Sequence, residues 1–262
     1  MDRIAAAARW LLAEHDRAAP YRALPADLRP ADLSQAYAVQ DAFQDLLRDA
    51  GAGRLAGHKI ALTAKVMQAM TGVDHPCAGG VFETRVWPTP AALRAADFGH
   101  VGVECDVAVR LVRPLPVGDR AVTATDVAAA VDAVAAAFEL AEDRHADYAD
   151  LEAMTLIADN TWNGGVVLGP WVTDWPDRDL VAAAGALTLN GREVSRGRGG
   201  DAMGHPFRAV AWIANHLAGR GREIGPGQFV MTGSIVRTEF LSAGDHASFR
   251  HDALGEVELR LD

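Results

Sequence analysis

Two acids placed in an apolar strand constrain this chain more than any other feature. Residues Val101 to Arg110 read Val-Gly-Val-Glu-Cys-Asp-Val-Ala-Val-Arg, a run of β-branched and small side chains with strand character. Side chains alternate faces along a strand, so Glu104 and Asp106 share one face and Cys105 takes the other. Two carboxylates on one face of an apolar strand are costly to bury unless positive charge lies between them. A third acid, Glu139, stands in a second apolar run, Ala135 to Ala141. Three carboxylates with no matching His or Cys set point to a hard, oxygen-preferring ion, Mg²⁺ or Mn²⁺. The competing reading is a pair of solvent-facing acids on an edge strand.

Composition narrows the classes. At 262 residues, 50% apolar and 23% charged, the chain buries a sizeable core and has an ordinary globular make-up. A net charge of -10 argues against nucleic acid, whose phosphates need a basic face. It leaves an anionic substrate open, because one Lys, Arg or metal reverses the field in a single pocket. The two cysteines, Cys77 and Cys105, make no disulfide framework. Charges at positions 2, 3, 9 and 14 interrupt the N-terminal segment, which therefore reads as a helix and not a signal peptide. No run is long enough for a membrane span, so the expectation is a cytoplasmic protein with no membrane partner.

Along the chain, residues 3–15 read as an amphipathic helix and Pro20 to Pro30 as a connector. Asp32 caps a second helix with Leu33, Ala36, Tyr37, Phe43, Leu46 and Leu47 at helical spacing, ended by Gly51 and Gly53. Lys59 to Leu62 is a short strand, with a helix near residues 64–70 and a loop from Gly72 to Gly80. Strands dominate beyond about residue 80, and residues 126–134 read as a helix feeding the Glu139 strand. Asn190-Gly191 is a two-residue hairpin turn within Leu187 to Val194. Arg196 to Met203 is a glycine-rich loop near the active site, without the Gly-Lys-Ser/Thr ending of a phosphate loop. Pro206 opens a helix whose buried stripe is Val210, Ile213 and Leu217. The division is a helical N-terminal region with the first strand, 1–80, and a β-rich catalytic domain, 81–262.

Several side chains carry two readings each. Lys59, flanked by Ile60 and Leu62, either snorkels to water or offsets the surplus negative charge of the three acids. Arg144 either holds a carboxylate by its planar fork or pairs at the surface with Glu142 or Asp143. His205, before Pro206, is a helix N-cap or a catalytic group. Asp159-Asn160, before Thr161-Trp162, is a turn or a pocket wall.

The ordered set of motifs resembles the 2-keto-4-pentenoate hydratase / 4-oxalocrotonate decarboxylase family of the fumarylacetoacetate hydrolase superfamily. It comprises Arg29-Pro30 with Asp32-Leu33, Ala36-Tyr37 and Val39-Gln40; Gly57 with Lys59-Ile60 and Leu62-Thr63; Gly72-Val73-Asp74 with Pro76; Glu104 with Asp106; Glu139 through Arg144; Asp159-Asn160; Gly204-His205-Pro206 with Ala211-Trp212; and Thr232-Gly233-Ser234. The resemblance implies an α+β fold, a mixed β-roll of the fumarylacetoacetate hydrolase C-terminal type with a small helical N-terminal part. It also implies metal ligation by Glu104, Asp106 and Glu139, a catalytic Lys59, and a pocket that includes Arg144, Asp159, Trp162, Cys77 and His205. Two positions depart from the family pattern: Cys77 stands where an acid is common, and Trp162 where a serine follows Asp-Asn-Ala.

The activity so implied is that of a metal-dependent lyase, a hydratase acting on a 2-oxo/2-hydroxy-dienoic acid through a metal-stabilised enolate. The alternatives are a 4-oxalocrotonate-type decarboxylase, an acylpyruvate C–C hydrolase, and a catalytically weak partner subunit. The resemblance also implies a homo-oligomer, or a complex with a related or downstream enzyme.

Overall fold

Two helices open the chain, α1 (Arg3–His15) and α2 (Leu33–Leu47). The structure, a computed structural model, describes residues 2–15, 20–118 and 120–262. Asp32 caps α2, its carboxylate accepting the Gln35 N–H at 2.8 Å. Ala7, Ala8 and Leu11 of α1 pack on Val39 and Phe43 of α2 in a core of their own. A π-type turn, Arg48–Ala52, follows α2.

Next come β1 (Leu55–Ala61), α3 (Lys65–Thr71), β2 (Cys77–Phe82), β3 (Val86–Pro88), β4 (Ala91–Leu93) and the long β5 (Val101–Leu111). Then follow α4 (Ala124–Ala130), β6 (Val131–Glu142), α5 (Ala153–Ala158) and β7 (Asn163–Leu168). The chain continues with the hairpin β8 (Ala184–Leu189) and β9 (Arg192–Arg198), then α6 (Pro206–Ala218). It closes with β10 (Phe229–Met231), β11 (Glu239–Phe240), β12 (His246–His251) and β13 (Gly255–Leu261). The hairpin turns at Asn190-Gly191, both left-handed (φ 51° and 79°), as the dipeptide predicts.

Three segments differ from the sequence expectation. The loop expected from Gly72 to Gly80 gives way to strand at Cys77, because Cys77 to Gly80 pairs antiparallel with β1. The helix expected over 126–134 spans Ala124–Ala130 instead; from Val131 the alanine-rich run pairs with β5, and sheet pairing overrides helix propensity. The glycine-rich stretch from Arg196 begins as strand, paired with β8 in the second sheet. Gly197 is required there, since a Cβ would sit 1.9 Å from the Ile235 carbonyl oxygen.

The strands form two mixed sheets. The eight-stranded sheet runs β2-β1-β10-β5-β6-β7-β3, with β11 also on β5; the five-stranded sheet runs β4-β13-β12-β8-β9. Strands β1/β10, β3/β7 and β4/β13 pair in parallel and the rest antiparallel. This is the expected α+β arrangement. Period-two alternation gives the large sheet two faces. Val103, Cys105, Val107 and Val109 of β5, with Val134, Phe138 and Leu140 of β6, join the main core with Leu187, Phe249 and Val257 of the small sheet. The opposite face is lined by Val81, Ala108, Ala135, Ala137, Val166, Phe229 and Met231. The sheet curls so that β2 nears β7, and this second face is the inside of the roll. Helix α6 buries Val210, Ile213 and Leu217 as expected. Among the described residues no helix is long and apolar enough to cross a membrane.

Candidate active site

Glu104, Asp106, Glu139 and Lys59 stand on the inner face of the roll. Glu104 lies directly across from Glu139 in the β5/β6 ladder, and Asp106 is two residues on. Lys59 reaches the same face from β1, which β10 separates from β5. The edge-strand reading fails: β5 is central, and Asp106 and Glu139 are fully buried. Lys59 is buried too, so its side chain does not snorkel to water; Nζ lies 2.7 Å from Glu139 Oε1.

The acids are held individually. Thr238 Oγ1 donates to Glu104 Oε1 (2.7 Å) and the Gly233 N–H to Asp106 Oδ2 (2.8 Å). Asp106 Oδ1 and both oxygens of Glu139 accept no well-directed hydrogen bond. Buried acceptors left in this state cost about 1–3 kcal/mol each, and more when charged. Burial raises the Asp106 carboxyl well above its ordinary value, and Glu139 and Glu104 raise it further. Burial likewise pushes Glu139 up to about 7, with the Lys59 ammonium pulling against it. For Lys59 burial works downward, but Glu139 and Glu104 outweigh it and raise the ammonium.

These groups call for more positive charge than Lys59 supplies, and carboxylate oxygen is the ligand a hard divalent cation takes. Among the described residues no three acid, His or Cys side chains are drawn together as a finished ligand set. Each acid has its own partner: Lys59 for Glu139, Thr238 for Glu104 and the Gly233 N–H for Asp106. The donor set fits such an ion in chemistry and in sharing one face.

A strained bracket fixes Lys59. Asn160, Thr161 and Trp162 are consecutive left-handed residues (φ 49°, 52° and 55°), each a cost of about 1–3 kcal/mol that surrounding contacts must offset. Asn160 does so through its amide, which both accepts and donates. Its Oδ1 accepts the Gly80 N–H (2.8 Å) and its Nδ2 donates to the Gly80 carbonyl (2.9 Å), pairing the free edge of β2. Gln44 donates to the same Oδ1 (2.9 Å), and Gln40 donates to the Ala78 and Ile157 carbonyls (2.8 and 2.7 Å). The bracket thus presents the Thr161 carbonyl to Lys59 Nζ at 3.0 Å.

Trp162 comes next and is buried against Leu151 and Leu156, with Leu62, Tyr21 and Ala146 packed around it. Its ring meets Tyr21 edge-on at 5.2 Å and Tyr148 at 5.9 Å. Burial and then Asp143 raise the Tyr148 hydroxyl, with a further push from Glu104. Asp159 is buried and receives both Arg144 Nη2 and His15 Nε2 (2.6 Å). Arg144 therefore pairs inside the protein with Asp159, rather than at the surface with Glu142 or Asp143. Cys77 opens β2 in the core; burial pushes its thiol up to about 12 against the pull of Lys59.

His205 stands apart from the acid cluster. It is the N-cap of α6, Nδ1 accepting the Phe207 N–H at 3.0 Å, and it lines a separate cavity with Trp175, Asp179 and Phe207. Sequence reasoning passed over Thr238, the Thr161 carbonyl, Asn163 beside Glu139, and the buried Gln44. Gly233, inside the Thr232-Gly233-Ser234 motif, and Gln40, inside Val39-Gln40, carried a signal only as motif members.

Known proteins resemble this chain over most of its length. The fumarylacetoacetate (FAA) hydrolase C-terminal family matches residues 65–262. The chain is 31% identical over 226 residues to a 2-keto-4-pentenoate hydratase of Burkholderia vietnamiensis, covering 86% of this chain and 85% of that protein. It is 29% identical over 228 residues to a 4-oxalocrotonate decarboxylase of Pseudomonas putida, covering 87% and 85%. A solved structure, 4-oxalocrotonate decarboxylase from Pseudomonas putida G7 complexed with magnesium and adipate, superposes with a TM-score of 0.92 at 26% identity, covering 100% of this chain and 98% of that chain. On the span of the family match and the identity to these relatives, the chain belongs to the fumarylacetoacetate hydrolase family.

Proposed function

We propose that this protein is a metal-dependent hydro-lyase that hydrates a 2-hydroxy-dienoic acid, as the 2-keto-4-pentenoate hydratases it resembles are named for doing. The observation that carries the reading is the buried, under-satisfied Asp106 and Glu139 carboxylates facing Lys59 on the inner face of the roll. Glu104, Asp106 and Glu139 are the residues that would hold a Mg²⁺ or Mn²⁺ ion. Such an ion, when bound, supplies a Lewis acid for the 2-oxo group of the substrate.

The chain's own residues do the rest. Lys59 keeps its proton under the influence of Glu139 and Glu104, so it offers an ammonium to an anionic substrate and a proton to its carbon skeleton. The Thr161 carbonyl fixes where that ammonium sits. Cys77, a neutral buried thiol, is neither base nor carboxylate at neutral pH. Tyr21, Leu62, Leu151 and Leu156 pack around Trp162 in an apolar cluster, with Tyr148 edge-on at its exposed rim.

Decarboxylation is the second reading, favoured by the 0.92 TM-score with a 4-oxalocrotonate decarboxylase. Purified protein supplied with Mg²⁺ separates them. Consumption of 2-hydroxypenta-2,4-dienoate with uptake of water supports the hydratase. Release of CO₂ from 2-oxohex-3-enedioate without dienoate hydration supports the decarboxylase. Turnover of neither substrate contradicts both.

A further inference from the structure

The bracket that holds Lys59 starts one residue after a buried carboxylate, and helix α1 grips that carboxylate. Asp159 uses both of its oxygens: Oδ2 accepts from Arg144, and Oδ1 lies 2.6 Å from His15 Nε2. Its backbone is tied as well. The Asp159 N–H donates to the Thr155 carbonyl (3.0 Å), and the Asp159 carbonyl accepts the Trp162 N–H (3.0 Å), which closes the turn around Thr161. Thr161 presents its carbonyl to Lys59 Nζ at 3.0 Å. A continuous run of contacts therefore leads from the last residue of α1 to the ammonium.

The sequence of α1 aims the imidazole. Ala8, Leu11 and His15 recur at i, i+3 and i+7, so they share one helical face. Ala8 and Leu11 pack in a small core with Val39 and Phe43 of α2 and with Ala158, the residue before Asp159. The His15 ring continues that face onto Phe43, centroids 5.1 Å apart, and ends at Asp159. The N-terminal region also holds the other partner of the carboxylate, because the Tyr21 N–H donates to the Arg144 carbonyl at 2.7 Å.

A buried carboxylate needs a donor on each oxygen, and the loss of one is felt more strongly by a charged group. His15, Arg144, Asp159 and Asn160 all line a cleft of about 750 Å³. Without the imidazole, Asp159 has room to shift into that cleft and to carry the left-handed residues that follow it. We infer that His15 is a positioning residue for Lys59: the imidazole on the N-terminal helix fixes Asp159, and through it the carbonyl that sets where the ammonium meets an anionic substrate. The inference rests on the proposed 2-oxo acid site, in which Lys59 meets that anion.

Oxalate titrated calorimetrically into Mg²⁺-supplied protein reads the ammonium, and Mn²⁺ titrated into metal-free protein reads the acids alone. H15A is expected to weaken oxalate binding by about tenfold, the worth of one hydrogen bond to a charged group, and to leave Mn²⁺ affinity unchanged. H15Q, whose amide N–H reaches as far as Nε2, keeps the oxalate affinity, whereas the shorter H15N behaves as H15A does. Imidazole added to H15A restores the affinity by entering the cleft. In a K59M background H15A has no further effect on oxalate, as a double-mutant cycle through one shared residue requires. If K59M does not fold, the H15Q and imidazole results decide. Unchanged oxalate affinity in H15A overturns the positioning role. So does equal weakening in the K59M background, or a loss that neither H15Q nor imidazole repairs. In each of those cases oxalate binding by the wild type still upholds the 2-oxo acid site. Absence of oxalate binding in the wild type overturns that site and the positioning role with it.

Discussion

At the scale of the residue, the account turns on a buried ion pair that is under-neutralised. Lys59 and Glu139 are both inaccessible, and Asp106 lies close enough for its carboxyl to feel Glu139. Removing one member of such a pair leaves an unpaired charge inside, at a cost of about 3–5 kcal/mol. Lys59→Met is therefore expected to lower the metal-free stability by that order in urea denaturation, with Mg²⁺ recovering part of the loss. A variant as stable as the wild type without metal would refute the pairing. The acids were readable in the sequence because period-two spacing in an apolar run leaves few places for charge. Lys59 was ambiguous, since only its partner across two strands distinguishes a snorkelling side chain from a buried cation. Thr238 was not readable, because its contact with Glu104 spans 134 residues. Nor was the Thr161 carbonyl, because every residue carries a carbonyl.

At the scale of the element, the 160–162 bracket ties three parts of the chain together. Helix α2 supports it through Gln40 and Gln44, and β2 pairs with it through Gly80. Gly79 permits the approach: a Cβ there would lie 2.3 Å from Thr161 Oγ1 and 2.8 Å from the Asn160 carbonyl oxygen. Gly79→Ala is expected to displace β2 or the bracket, costing about 1–3 kcal/mol as overpacking does. Because Lys59 donates to the Thr161 carbonyl of the bracket, turnover should fall as well. An alanine variant with wild-type urea midpoint and turnover would show that the bracket tolerates movement. Gln40→Leu leaves the Ala78 and Ile157 carbonyls without their side-chain donor, and a loss of about 1–3 kcal/mol is expected by the same assay. The sequence displayed the hairpin, the Asp32 cap and the α6 stripe, all local patterns. It misplaced the starts of β2 and β6, where pairing with a distant strand decides between helix, loop and strand. The buried glutamines of α2 escaped a reading based on apolar spacing.

At the scale of the whole molecule, the sheet order brings β1 and β10, about 170 residues apart in sequence, into parallel register. No local pattern encodes that pairing; only the resemblance to a known family anticipated the roll. The pairing also buries His58 of β1, where burial and then the Arg222 charge lower the imidazole to about 4. His216 is lowered to about 4 in the same way, by burial and Arg220. Both rings are neutral in the fold, while the unfolded chain takes up protons near its ordinary value of 6.5. These groups therefore stabilise the fold fully above about pH 6.5, and the contribution is lost progressively as pH falls toward about 4. The urea midpoint is expected to drop between about pH 7.5 and about pH 5, with a shallower drop in His58→Gln. Identical slopes in the two proteins would remove His58 as a source.

The central claim is that the acids inside the roll form a site for a divalent cation. Titration of Mn²⁺ followed by the paramagnetic resonance of the free ion tests it most directly, in the wild type and in Asp106→Asn. The account predicts a single saturable site per chain, competed by Mg²⁺, and its loss in Asp106→Asn while the far-ultraviolet circular dichroism is unchanged. Saturable Mn²⁺ binding that survives in Asp106→Asn, or no binding in the wild type, would contradict it.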